Sequence, residues 1–376
     1  MSIGWSVTII GAMLVELMLH LWLMERQRRA LAHSRATVPA AFTERLSLQE
    51  HQKAADYGQT RLRYGQIRKI FNTGLVVALL LSGLIGYWDT KFFDWFPGRI
   101  QQPLAFLGTL ALLNWLVSLP WSWYSHFVLE ARFGFNNMST KIFFIDQLKG
   151  MVLTFILGAA ILAPFFWLMK AAGIMWVVPA LGIWLTFQLL IMGIGIKVIA
   201  PLFNKFTPLQ NEELKTRVTQ LVERAGFHSE GVFVMDASKR SGHGNAYFTG
   251  IGRHKRIVFF DTMLAKMTNE QTIAVLAHEI GHLRHGHIWK GFLVSTVFSV
   301  LAFGALAWLQ TRVDIFLAFQ MLPTPAAILL MASWLAPLVM MPLAPIFSWR
   351  SRKHEFQADH YAINETSADD LGGALL

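Results

Sequence analysis

The chain has 376 residues, 54% of them hydrophobic and 15% charged, where an ordinary soluble domain carries about 25% charged residues. That deficit, with 14 Trp and 29 Phe, argues against a wholly water-soluble protein and for lipid around much of the surface. There is no Cys, which excludes disulfides, thiolate metal sites and a cysteine nucleophile; any metal must be held by His, Asp or Glu. The net charge of +10 is not gathered in one tract, so it does not point to a nucleic-acid partner.

Seven apolar stretches are long enough to cross a bilayer: 5–24, 70–88, 103–124, 151–169, 174–196, 288–310 and 326–347. Each is near the ~20 residues that a span requires. The first has no basic region before it and no small-residue cleavage site after it, so it reads as a retained helix and not as a signal peptide. Of the 33 Lys and Arg residues, only Lys91, Arg99, Lys170 and Arg312 fall on one set of alternating loops. This skew predicts an amino terminus outside, or lumenal, and a cytoplasmic carboxyl terminus. Glu16 and His20 lie one helical turn apart inside the first span. Such groups either make a packing contact between helices or line a polar chamber.

Residues 201–287 break the membrane pattern. Pro208 to Ala225 reads as an amphipathic helix, with Leu214, Val218, Leu221 and Val222 on one face and Gly226 after its end. Gly231 to Met235, Asn245 to Ile251 and Arg256 to Phe260 read as strands of a small, antiparallel sheet, the last two joined by a turn at Gly252-Arg253-His254-Lys255. Thr268-Asn269-Glu270-Gln271 is a capping box, with Thr268 as N-cap and Gln271 at the third helical position. The helix it opens runs to about His285, where Gly286 can end it.

That helix carries His278-Glu279-Ile280-Gly281-His282. Two His four residues apart share one helix face, so both imidazoles can reach one ion. Glu279, beside the first of them, is placed as general base for the attacking water. A bare match of this kind arises often by chance. The capped helix, the preceding sheet and a third ligand, Glu355, raise its weight. Two His and one Glu form a recognised catalytic zinc set with one position left open, which predicts one zinc ion per chain. Asp359, one turn after Glu355, can accept the outer ring N–H of a metal-bound His, His278 first. The plainer alternative is a solvated acidic face beside Arg350 and Arg352. His243, His285, His287, His354 and His360 read as interfacial or surface groups, and none is assigned to the metal.

These residues resemble the type I CaaX prenyl proteases, integral-membrane zinc metalloproteases that include the yeast a-factor-converting enzyme. The resemblance covers most of the chain. It rests on Lys53 to Tyr57, Phe127 to Asn136, Asp146 to Lys149, Pro201 to Phe206, Ser238 to Ser241, Asn245 to Phe248, the stretch 278–282 and Glu355 to Asp359. It implies a mainly α fold: a polytopic seven-helix bundle enclosing a polar chamber, with an inserted small α+β protease domain of the zincin-like, gluzincin type. It also implies that Asn245, Ala246, Tyr247 and Phe248 form an edge strand that pairs with substrate backbone. An ordinary hairpin strand is the alternative. Family members continue to a His-Pro stretch whose His and Arg help bind substrate or transition state. This chain ends at Leu376 after Gly372-Gly373-Ala374-Leu375, so it reads as shortened at the carboxyl terminus, with that stabilisation incomplete.

The expected division is a five-helix membrane region at 1–200, the protease insert at 201–287, and two spans with the third ligand at 288–376. The expected activity is a membrane-embedded zinc endopeptidase acting on prenylated CaaX tails or on membrane-associated peptides. Its site is expected on the cytoplasmic side of a bacterial inner membrane or of the endoplasmic reticulum. Rival readings are a membrane quality-control metalloprotease and a non-proteolytic transporter or binder of lipidated peptides. The transporter reading leaves the zinc spacing and Glu355 unexplained.

Overall fold

The computed structural model describes residues 2–98, 100–250 and 254–374. In chain order its principal helices are α1 (Ser2–Ser34), α2 (Leu48–Leu81), α3 (Leu84–Trp95), α4 (Gln101–Tyr124), α5 (Thr140–Ala171) and α6 (Val177–Ile194). They are followed by α7 (Glu212–Arg224), α8 (Asn269–Arg284), α9 (His287–Gln310), α10 (Pro325–Glu365) and α11 (Ala368–Ala374). The strands are β1 (Phe206–Pro208), β2 (His228–Met235), β3 (Ala246–Thr249) and β4 (His254–Phe260). The chain divides into two compact units, neither contiguous in sequence.

One unit comprises Met1–Ser125, Gln147–Leu185 and Val297–Ala344. Among the described residues of the whole chain, six helical segments are long and apolar enough to cross a bilayer, and the pair α2/α3 makes a seventh if taken as one bent span. The predicted span 70–88 therefore needs correction. The helix stops at Leu81, Gly83 adopts φ 68°, and α3 sets off at 64° to α2. A positive φ is open to Gly at little cost, so the break falls where the sequence supplies one. Polar groups in this unit close on one another. Glu16, 8% exposed, accepts from Lys69 Nζ at 2.8 Å, which makes it a contact between α1 and α2. Asp89 accepts from Gln102 and Thr324, each at 2.6 Å.

The other unit comprises His126–Asp146, Thr186–Thr296 and Pro345–Leu376. Its sheet has the order β1-β2-β4-β3. β1 pairs antiparallel with β2, and β3 antiparallel with β4, but β2 and β4 run parallel. The expected all-antiparallel sheet is thus corrected. Alternation in sequence sets which face a residue takes, not the direction of its neighbour. The segment between β2 and β3 is long enough to bring β4 in between them. β1 was not foreseen, and it takes Pro208 from the expected helix. α7 begins at Glu212, where Asn211 caps it by accepting from Leu214 N at 3.0 Å. Leu214, Val218, Leu221 and Val222 are buried with Ile257, Phe259 and the apolar stripe of α8. Each such side chain contributes roughly 1.5–3 kcal/mol. The predicted turn at 252–255 falls largely outside the described residues.

Segments distant in sequence are tied to the loop before β3. Arg240 donates to Asp146 at 2.7 and 3.2 Å and to Asn204 at 3.1 Å, and Asn136 bridges Ser241. Bidentate charge-assisted bonds of this kind fix orientation as well as adding energy. They steady the entry into β3, which lies at the edge of the sheet.

Candidate active site

α8 forms where its sequence predicts. Thr268 Oγ1 accepts from Gln271 N at 3.2 Å, and Gln271 Oε1 accepts from Thr268 N at 3.0 Å. Ile273, Leu276, Ala277 and Ile280 recur at helical spacing and are buried against the sheet. His278 and His282 lie on the half-exposed side. Gly286, at φ 64°, follows the end of the helix.

α10 is 41 residues long, about 60 Å at 1.5 Å per residue and twice the ~30 Å hydrocarbon thickness of a bilayer. Its apolar part matches the predicted span 326–347, and the helix then continues unbroken through Glu355 and Asp359. It meets α8 at close quarters. A Cβ on Gly281 would lie 2.8 Å from Ala358 Cα and 3.0 Å from Ala358 O. The glycine inside the motif is therefore what lets the two backbones approach.

That approach gathers the predicted residues. His278 Nε2 and His282 Nε2 are 3.2 Å apart, and Glu355 Oε2 lies 3.4 and 3.6 Å from them. Among the described residues this trio is the group of His, Asp and Glu whose atoms could share one metal ion, all within 4.8 Å of one another. Two imidazole nitrogens and one carboxylate oxygen fit zinc. Asp359 Oδ1 sits 2.8 Å from His278 Nδ1, so the outer nitrogen carries the proton and Nε2 presents its lone pair. Burial lowers the His282 pKa, which favours the neutral ring that binds metal. Burial also pushes the Glu279 carboxyl above the usual glutamate range; Glu355 adds to the rise and His278 opposes it.

Asn245 is exposed at the start of β3, Ala246 is buried, and Tyr247 and Phe248 are half-buried. Phe248 packs with the α8 core, and Tyr247 packs against Met235 and Val258 on the opposite face. A cavity of about 360 Å³ lies between β3 and His282, with Leu189, Met192, Phe248 and Trp289 in its wall.

Sequence reasoning missed one neighbour. His287, 7% exposed, places Nδ1 2.9 Å from His282 Nδ1 and Nε2 2.9 Å from Gln357 Oε1. Its ring stacks on His354 at 3.9 Å and 6°. By sequence alone it reads as an interfacial or surface group. Its position five residues after His282, just past a helix-ending glycine, was the only signal available.

Apolar helices of spanning length, joined to a small α+β unit bearing this trio, define a polytopic membrane peptidase. Comparison with known proteins agrees. Residues 27–205 match the family of the CAAX prenyl protease N-terminal region, five membrane helices, and residues 208–374 match peptidase family M48. CAAX prenyl protease 1 of Saccharomyces cerevisiae is 30% identical, over 100% of this chain and 88% of its own length. The Arabidopsis thaliana homolog is 31% identical, over 100% and 90%. The crystal structure of S. mikatae Ste24p superposes with a TM-score of 0.89 at 31% identity, covering 99% of this chain and 91% of that one. The chain belongs to peptidase family M48, a metalloprotease family, in its CAAX prenyl protease branch.

Proposed function

We propose that this protein is a zinc endopeptidase that cleaves the carboxyl-terminal tails of prenylated CaaX substrates, with its site on the cytoplasmic side of a bacterial inner membrane or of the endoplasmic reticulum. The observation that carries the reading is the convergence of His278, His282 and Glu355, with Asp359 behind His278. The substrate class is supported by the names of the relatives and by the apolar walls of the cavity beside His282. The orientation is supported by the Lys and Arg skew of the loops.

His278, His282 and Glu355 would hold the zinc, which when bound supplies Lewis acidity towards water and the scissile carbonyl. Glu279 accepts the proton of the attacking water and returns it to the leaving amine. Burial, which raises its pKa, makes its carboxylate the stronger proton acceptor. Among the described residues β3 is the edge strand of the sheet, and Asn245 to Phe248 take the substrate as an added strand.

The test is hydrolysis of a quenched farnesylated peptide by wild type and by Glu279→Gln. Turnover by wild type, falling about 10²–10⁴-fold in the variant, is the expected result. Equal turnover by both proteins would remove Glu279 from the mechanism. Cleavage of non-prenylated membrane peptides in preference would shift the reading to a quality-control protease.

A further inference from the structure

The two histidines of α8 are supported from behind in different ways. His278 leans on a carboxylate, Asp359. His282 leans on a second imidazole, that of His287, which in turn meets the side-chain amide of Gln357. Both supports come back to the segment of α10 that carries Glu355.

The proton count along the second chain has one solution if His282 offers Nε2 to a metal. A neutral ring with a free Nε2 carries its proton on Nδ1. That N–H faces His287 Nδ1 at 2.9 Å, so His287 Nδ1 must be the acceptor. A neutral His287 then carries its own proton on Nε2, and this N–H donates to Gln357 Oε1 at 2.9 Å. Every nitrogen has one role, and no group in the chain is charged. His287 is buried, and its face is covered by the His354 ring, so it cannot swing away without losing that stack. His287 is not itself in the trio whose atoms can share an ion.

We infer that His287 is a positioning residue: through its Nδ1 it holds His282 in the tautomer and ring orientation that present Nε2 to the metal, with Gln357 fixing the tautomer of His287. A ligand held by an outer partner keeps its geometry and basicity, and loss of such a partner commonly costs 10–100-fold in metal affinity. A neutral imidazole orients the ligand without adding a second negative charge, so Asp359 remains the one outer carboxylate of the two histidines. The inference rests on the zinc reading of the trio.

The experiment is chelator competition for zinc on the purified full chain, comparing wild type, His287→Leu, His287→Asn and Gln357→Leu. His287→Leu keeps bulk but has no acceptor, and its zinc affinity should fall about tenfold or more. Asn Oδ1 can stand near the place of His Nδ1, so His287→Asn should recover most of that loss although it also removes the stack on His354. Gln357→Leu should fall between the two. Thermal unfolding of the metal-free proteins checks that each is folded, and if His287→Leu is not, the Asn and Gln357 variants still decide. Equal weakening in Leu and Asn would reduce His287 to packing, and unchanged affinity in all would remove it from the site. Both outcomes overturn the inference while leaving the zinc reading of the trio standing. Failure of the wild type to bind zinc would overturn the functional reading as well.

Discussion

The ionisable groups of the first compact unit and those at the junction of α8 and α10 have similar chemistry and opposite arrangements. In the first unit, donors meet acceptors: Glu16 takes Lys69, and Asp89 takes Gln102 and Thr324. At the junction, three potential electron-pair donors crowd together, with His278 Nε2, His282 Nε2 and Glu355 Oε2 within 4.8 Å of one another. The outer nitrogens of the two histidines meet Asp359 and His287. A polar cluster that satisfies itself holds helices together. One held from the outside, with its donor atoms converging on the inside, is the arrangement that the proposed metal site requires.

The widest separation between the two regions is expected from removing a carboxylate in each. Glu355→Ala should lose stoichiometric zinc and bring peptide hydrolysis to background. Glu16→Ala leaves Lys69 without its partner and should lower stability by at most ~3 kcal/mol, because the lysine is a quarter exposed, yet keep full zinc content. Elemental analysis with thermal unfolding separates the outcomes, and loss of zinc from Glu16→Ala would erase the distinction. A smaller effect follows from Gly281→Ala. The added Cβ meets backbone of Ala358, which cannot yield as a flexible side chain would, so α10 must shift. About 1–3 kcal/mol of stability should go, with weaker zinc binding. Unchanged stability and affinity would show that the close approach is dispensable. Least is expected from Thr268→Ala, which removes one cap bond far from the chemistry and should cost ~1 kcal/mol without altering kcat/KM per folded molecule.

Much of this was legible in the chain because it is written in local spacing. The capping box, the four-residue interval of His278 and His282, and the interval from Glu355 to Asp359 are helix-periodic signals, and the structure places all of them on helices. What was missed is set by tertiary contact. The parallel pairing of β2 with β4 depends on where β3 is placed, not on the alternation within either strand. The break at Gly83 sits inside a continuous apolar run that hydropathy alone reads as one straight span. His287 looked like a surplus interfacial histidine because its partner, Gln357, is 70 residues away in sequence.

X-ray absorption at the zinc edge on the purified protein tests the central claim most directly. The account predicts one zinc per chain with nitrogen and oxygen ligands at about 2.0–2.2 Å, two of them imidazole, and loss of that signal in Glu355→Ala and His278→Ala. Well-folded wild type without stoichiometric zinc, or a zinc shell that survives both substitutions, would contradict it.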